Sequence, residues 1–403
     1  MRACTVAYTF YEADNRVRRY AEALAKRGDN VDAIALRQPG QTRFEIIRGV
    51  RVHRIQERVR NERGPFSYLG KLLLFFLRSM WVLSIQSLKE RYDIIHVHSV
   101  PDFQVFATLI PRIMGTPVIL DIHDIVPEFY ASKFKVEEHS PIFRLLVVME
   151  KLSITYSSFV IISNHLWETK LKERSVGGEK CATIINYPDL SIFRQRPRPV
   201  ASDGAFLMCY PGTLNQHQGV GVAIDAMALL RDKIPNARFL IMGDGPDRER
   251  LEMMVRQNKL EDFVSIQGFV ALEKVAETLA TVDVGIVPKL NNSFGNDAFS
   301  TKIMEFMAMG VPVIASNTRI DKYYFNDDLV QFFESGNAED LADKIVDLMN
   351  DSGKRSLLCA NAKAFIERNN WDVRKNEYLN LVDRLVMGHV SAKRCEIPEN
   401  TVL

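Results

Sequence analysis

The chain alternates short apolar runs with longer amphipathic segments almost from end to end, and this limits it to a small set of folds. In the first half, strands are expected at 3–9, 31–36, 50–55, 94–98, 117–121, 159–162 and 182–185. Helical patterns fall between them, such as Arg16–Arg27, where Ala21, Leu24 and Ala25 share a face. Strands alternating with helices specify parallel sheets covered by helices on both faces. Near 186–204 the pattern lapses into the proline-studded NYPDLSIFRQRPRPVASDG, which reads as a linker. A second series follows: AFLMCY, a helix from 219, ARFLIMG, a helix from 247, then FVSIQG, VGIVP and VPVIAS. The expected fold class is α/β, with two doubly wound, parallel-sheet, Rossmann-like domains facing across a cleft. The first covers 1–195 and the second 196–372. A last helix at 373–386 follows the second domain and is placed to pack back on the first. Residues 387–403 read as a tail.

Charge and cysteine usage narrow the function classes. Lys plus Arg total 52 against 50 acids, and a net charge of +2 gives no global pull toward nucleic acid. The 5 cysteines lie far apart with no CxxC, against a disulfide framework or zinc cluster and for a reducing compartment. The start, MRACTVAYTF, reads as a strand rather than a signal peptide. No run of about 18 uninterrupted apolar residues occurs, so no spanning helix is expected. These features fit a cytoplasmic protein.

Ligands of doubly wound sheets bind at the carboxyl ends of strands, and three loops there carry chemistry in the second half. FLIMGDGPDRERLE runs from a strand through Gly243-Asp244-Gly245-Pro246 into a charged helix. Its glycines allow either a tight structural turn or a phosphate cradle; Asp244 and Asp247 would repel an anion, which favours the turn. Tyr210–Gly219 offers Gly212 for close backbone approach, with Thr213, Asn215 and Gln218 as neutral hydrogen-bonding groups; a polar connection is the plain alternative. Phe294–Glu305 leads through MAMG into the strand Val311–Ala315. There Ser300 or Thr301 can cap the helix, and free amides with Lys302 make an anion site. Glu305 sits among Ile303, Met304, Phe306 and Met307 and needs a partner, either ribose hydroxyls or Lys302 one turn away.

In the first half, Val118–Asp121 ends in Ile122-His123-Asp124-Ile125-Val126-Pro127-Glu128, an imidazole and two carboxylates at a strand's carboxyl end. His96 and His98 lie on the strand IIHVHS; burial of a ring is the plain reading and a metal pair the sharper one. The loop after the first strand presents Glu12, Asp14, Asn15 and Arg16, a side-chain surface without glycine. Segment 66–89 is the most apolar of the chain, and Arg51, Arg54, Arg58, Arg60 and Arg63 precede it. Phe75, Phe76 and Trp81 beside cations suit a helix lying in an anionic membrane face, and a wide buried helix is the alternative.

Together these elements resemble the retaining glycosyltransferases of family 4, with the GT-B fold. The motifs MGDGPDRERLE, QGFV, VDVGIVPKL and MEFMAMGVPVIAS sit in the family's order and spacing, as do HVHS and DIHD in the first half. The resemblance implies transfer of a sugar from a nucleotide-diphosphate donor, UDP first and GDP second, with retained anomeric configuration, no cofactor and no metal. It places the base near Gly268, Phe269 and Val270, the ribose on Glu305, and the diphosphate near Gly212, Gly243 and Ser300–Lys302. His123 takes the position that meets the donor sugar from the first domain. The family's two acids fall at Asp297 and Glu305, with Asp297 standing where glutamate is usual. Glu12, Asn15, Arg16 and Asp124 fall on the acceptor or phosphate side.

Two departures accompany the resemblance. The family's Arg and Lys after the second domain's first strand are Thr213 and Gln218 here, and the glycine pair after strand 1 is absent. Lys302, helped by Arg16 across the cleft, is expected to supply the missing positive charge. His123, Lys302 and Asp297 are thus the expected catalytic residues. The implied partners are a nucleotide sugar, a lipid-linked or glycan acceptor of cell-surface synthesis and an anionic membrane surface, with no nucleic acid. The expected location is cytoplasmic, peripheral on the inner face of the plasma membrane. The competing readings are a GT-B epimerase, a phosphorylase, and a non-catalytic nucleotide-binding or scaffold subunit.

Overall fold

The computed structural model describes residues 1–58, 65–134, 136–137, 140–196 and 204–388. The expected tail from 389, together with Arg60 and Arg63, lies outside the described residues. Packing divides the described chain into two units, Met1–Asn186 with residues 375–388, and Tyr187–Arg374. The last helix, Trp371–Val386, therefore starts in the second unit and continues in the first.

The first unit is built on strands β1 (Arg2–Phe10), β2 (Asn30–Arg37), β3 (Phe44–Ile47), β4 (Val50–Glu57), β5 (Ile94–His98), β6 (Val118–Ile122), β7 (Phe159–Ile162) and β8 (Cys181–Thr183). Its helices are α1 (Asn15–Arg27), α2 (Pro65–Lys89), α3 (Leu109–Ile113), α4 (Val126–Phe134), α5 (Pro141–Tyr156) and α6 (His165–Arg174). The strand order is β3-β4-β2-β1-β5-β6-β7-β8. All pairings are parallel except β3 with β4, which is antiparallel and corrects the expectation of a wholly parallel sheet. The central strands are continuous apolar runs, as a sheet covered on both faces requires. The strand order reverses between β1 and β5, so the loops after β1, β5 and β6 share the carboxyl edge at this switch.

Helix α2 has two apolar stripes. Leu72, Phe75, Ser79, Leu83 and Ser87, spaced three to four apart, are buried in the unit, and the Phe75 ring meets Tyr8 edge-on at 5.2 Å. Phe75 therefore belongs to the core, correcting its expected membrane role. Phe76 is half-buried against Phe103, 5.9 Å between centroids. Trp81, at 69% exposed, stands on the open stripe with Leu69, Leu73 and Leu77. The stretch Tyr68–Lys89 is long and apolar enough to cross a membrane by length and composition, a correction to the expectation that no segment would be.

The second unit carries β9 (Phe206–Pro211), β10 (Ala237–Met242), β11 (Val264–Gln267), β12 (Val284–Val287), β13 (Val313–Ser316) and β14 (Gln331–Phe333). Helices α7 (Val220–Leu230), α8 (Arg248–Gln257), α9 (Leu272–Leu279), α10 (Thr301–Met309), α11 (Arg319–Tyr324), α12 (Ala338–Asn350) and α13 (Ser352–Arg368) alternate with or follow them. The sheet is parallel throughout, ordered β11-β10-β9-β12-β13-β14. Its core joins Met208, Tyr210, Phe239, Ile241, Ile286 and Ile314 of the strands to Ile224 and Met227 of α7. Each such buried side chain contributes about 1.5–3 kcal/mol. The switch point lies between β9 and β12, which brings the loops after β9, β10 and β12 together.

Candidate active site

In the second unit the chain leaves β9 at Pro211 and turns at Gly212, whose φ is 150°. A Cβ at 212 would stand 2.3 Å from Lys302 Cε, so a side chain there would push the lysine's end aside. Gly243, at the end of β10, presses on the same turn: its Cβ would fall 1.8 Å from the Gly212 carbonyl oxygen. The sequence GDGP is thus a tight turn that seats the loop of Gly212. A role for Gly243 through backbone packing follows directly, and the structural alternative for that motif holds.

Lys302 reaches this turn from the first residues of α10. Its ammonium donates to Gln218 Oε1 at 3.2 Å and lies over the Tyr210 ring, 5.2 Å from the centroid. The Tyr210 hydroxyl is 3.0 Å from the Thr213 carbonyl and 3.1 Å from Gln218 Oε1. Gln218 therefore orients the lysine. Burial pushes Lys302 down to about 8, against the pull of Glu305 upward. The neighbouring His217 is pushed down to about 4 by burial and by Lys302 and Lys289.

Ser300 occupies the N-cap position of α10 but makes no side-chain cap bond, contrary to its expected capping role. Its Oγ is buried with no hydrogen-bond partner. The helix start thus combines uncapped amides, the positive end of the peptide dipoles, an unused hydroxyl and the Lys302 charge, the composition of an anion seat. Thr301 is the first residue of the helix, and Glu305 stands half-exposed one turn on.

The loop before α10 is braced from beneath. Lys289, at 2% exposed, donates to the Ala298 carbonyl at 2.6 Å and pairs with Asp321 at 3.0 Å. Asp297 is bound by Arg319 Nε and Nη2 at 2.9 and 2.5 Å. Both contacts fall on one carboxylate oxygen, Oδ1, and tie this loop to the start of α11. Gly268, Phe269 and Val270 follow β11, with Phe269 58% exposed. Thr213 is exposed and contributes its carbonyl to the Tyr210 hydroxyl.

In the first unit, Asp14 caps α1 by accepting from the amides of Arg16 and Val17, both at 3.1 Å. That fixes Arg16 so that Nε and Nη2 donate to both oxygens of Asp121, at 2.8 and 2.7 Å. The pair is buried, so the charge of Arg16 is neutralised within its own unit. This corrects its expected phosphate-side role. Glu12 is bound to Arg54, which Glu45 also holds. Asn15 opens α1, and Asp124 follows His123, its carboxyl raised by burial.

His96 and His98 point to the same face of β5 and stack at 4.2 Å between centroids. His98 Nδ1 lies 3.1 Å from Asp121 Oδ2 and 2.9 Å from His123 Nε2, which is itself 3.2 Å from Asp121 Oδ2. Burial holds His98 well below the usual histidine range, and the neighbouring His96 lowers it further. His96, His98 and Asp121 each offer an atom within 4.8 Å of one another, a spacing that suits a metal. Both Asp121 oxygens already accept from Arg16, while His96 Nε2, His98 Nε2 and Arg16 Nη1 are buried with no hydrogen-bond partner among the described residues. His123 is the outlet of this network, its side chain 20% exposed.

Sequence reasoning did not single out Asp121, Lys289 or Asp321 as site residues. Lys289 lies two positions past the buried strand β12 at the switch point, and that position was its one available signal.

Comparison with known proteins follows this division. Residues 191–365 match the family model described as Glycosyl transferases group 1, and residues 13–186 match the Glycosyl transferase 4-like domain. The chain is 31% identical over 153 residues to the putative colanic acid biosynthesis glycosyltransferase WcaL of Escherichia coli, covering 38% of this chain and 37% of that relative. It is 23% identical over 374 residues to the sulfoquinovosyl transferase SQD2 of Arabidopsis thaliana, covering 89% and 67%. Among solved structures, sucrose-phosphate synthase from Thermosynechococcus elongatus aligns with a TM-score of 0.78 at 19% identity, over 96% of this chain and 100% of that one. Anabaena HepE in complex with UDP aligns at 0.66 and 18% identity, over 95% and 100%.

Proposed function

The chain belongs to the group 1 glycosyltransferases of the GT-B fold, and we propose that it moves a sugar from a nucleotide-diphosphate donor to a lipid-linked or glycan acceptor in cell-surface polysaccharide synthesis. The observation that carries this is the seat in the second unit, where Lys302, the unused Ser300 hydroxyl and the open start of α10 meet the glycine turn at 212. A diphosphate leaving group gains negative charge as the glycosidic bond breaks, and fixed amides with one ammonium stabilise that charge. Transfer proceeds with retention and without a metal in this reading. Lys302 supplies the cation that the family's basic pair would otherwise give, and Gln218 keeps it in place. The base meets Gly268–Val270, and the ribose meets Glu305. UDP is the first donor to try, as for HepE, whose structure was solved with UDP.

The acceptor reading extends to the surface of the first unit. Trp81, Leu73 and Leu77 of α2 and Leu145, Val148 and Leu152 of α5 are all exposed apolar residues. Arg78 and Arg144 stand among them, while the one acid of these two helices, Glu150, is buried on Arg174. Such a surface suits peripheral contact with the anionic inner face of a plasma membrane.

A thermal-shift screen with UDP-, GDP-, ADP- and dTDP-sugars, with and without divalent metal, tests the donor. A ligand that binds the native state raises the melting temperature. A clear metal-independent rise with one donor supports the reading. Silence across the panel at millimolar ligand overturns it and returns the chain to a scaffold.

A further inference from the structure

The side chains that hold Lys302 form a chain that ends on His217. This histidine sits in the single 3-10 turn Gln216–Gln218, between β9 and α7. Its carbonyl accepts from the Leu290 amide at 2.9 Å, and its ring meets Phe294 edge-on, 5.3 Å between centroids. His217 Nε2 lies 3.1 Å from the side-chain nitrogen of Gln218. At the other end of that amide, Gln218 Oε1 lies 3.2 Å from the Lys302 ammonium and 3.1 Å from the Tyr210 hydroxyl.

A primary amide can stand either way round, and its neighbours decide which. Tyr210 does not decide, because a hydroxyl accepts as readily as it donates. The ammonium does: it has three donors and no acceptor, so the group that faces it is the amide oxygen. The NH2 of Gln218 is thereby turned toward His217, where a hydrogen on Nε2 would oppose it. His217 Nε2 is therefore bare, and the neutral ring carries its proton on Nδ1. A doubly protonated ring would set an N–H against the amide. Burial, then the charges of Lys302 and Lys289, oppose that form as well and push His217 down to about 4.

We infer that His217 is a positioning residue: its bare Nε2 accepts from the Gln218 amide and keeps the amide oxygen on Lys302, so that the seat carries one cation held in a fixed place. The bearing of this on a diphosphate rests on the reading of the seat given above; the side-chain chain itself belongs to the free protein. The other charged and titratable groups acting on Lys302 and His217 are Glu305 on α10, Lys289 after β12, Asp321 on α11 and Tyr210 on β9. Substitutions at 217 leave all of them in place.

Two-bond proton–nitrogen correlation spectra of histidine-labelled protein at pH 6.5 read the tautomer, with His217→Phe used to assign the ring. The expected wild-type pattern is a bare Nε2 and a protonated Nδ1. The Lys302 ammonium is followed through its carbon-13 Cε resonance in lysine-labelled protein, assigned with Lys302→Arg. His217→Phe keeps a ring against Phe294 and removes the acceptor, which frees the amide to turn. The Lys302 midpoint should then fall by at least about half a pH unit, because the charged form loses its acceptor. His217→Gln returns a side-chain oxygen to the place of Nε2 and should restore the wild-type midpoint, which a role in packing alone does not predict. If His217→Phe does not fold, His217→Leu gives the same comparison. A wild-type ring protonated at Nε2 overturns the inference, as does a Lys302 midpoint that loss of the acceptor leaves unchanged. These spectra need neither donor nor acceptor, so their failure is separable from that of the donor screen.

Discussion

Lys302 and Gly212 are interlocked: a single methyl on residue 212 would stand 2.3 Å from the lysine's Cε. The contact joins the loop after β9 to the start of α10, across 90 residues of sequence, and it decides where the seat's cation sits. Gly212→Ala is expected to displace the Lys302 side chain and, at a φ of 150°, to strain the turn as well. Donor affinity should fall at least tenfold, with a melting temperature lowered by a few degrees. Titration calorimetry beside a thermal melt checks both.

The ammonium of Lys302 titrates near 8 in the free protein, because burial disfavours its charged form. A diphosphate selects the charged form. Affinity should therefore be full below pH 8 and weaken as pH rises through it, while binding above pH 8 takes up a proton. Dissociation constants at pH 7, 8 and 9 in buffers of different ionisation enthalpy measure both effects. Affinity flat across that range contradicts the assignment.

The buried Arg16–Asp121 pair predicts an asymmetry in stability. Asp121→Ala alone leaves a guanidinium buried without its partner, and should destabilise by about 3–5 kcal/mol. Replacing both by apolar residues should cost less than the single change. Asp121 is depressed in the folded state, so its contribution is present above the unfolded carboxyl range and is lost as pH falls through the folded value. Denaturant melts of the single and double variants, repeated under acid conditions, check the order and the sign.

Much of this architecture was legible in the sequence. The strands of the first unit appear where apolar runs predicted them, because central parallel strands are continuous apolar runs. Short edge strands escaped: Phe44–Ile47 is largely exposed and alternates little, and Gln331–Phe333 spans three residues. In the site, the loops of Gly212 and Lys302 were marked by glycine and by a helix start. Their interlock was not, since it depends on the β9–β12 switch. The ion-pair partners of Arg16 and Asp297 were not legible, for one cause. A charged residue in a loop looks available until its partner is known, and those partners, Asp121 and Arg319, lie 105 and 22 positions away.

Phe75 and Trp81 lie on opposite stripes of one helix and separate packing from surface binding. Phe75→Ala should cost about 3–5 kcal/mol, as for a large ring removed from a core. Trp81→Ala should leave stability within about 0.5 kcal/mol, since it removes an exposed side chain. The same Trp81 variant should weaken flotation with anionic liposomes. Equal flotation of wild type and variant contradicts the membrane reading.

The most direct measurement is calorimetric titration of the nucleoside diphosphate from the best donor onto wild type and Lys302→Ala, without metal. The account predicts binding by the wild type and at least a tenfold loss in the variant, about 1.4 kcal/mol. Equal affinity for the two proteins would place the diphosphate away from the Gly212–Lys302 seat and contradict the account at its centre.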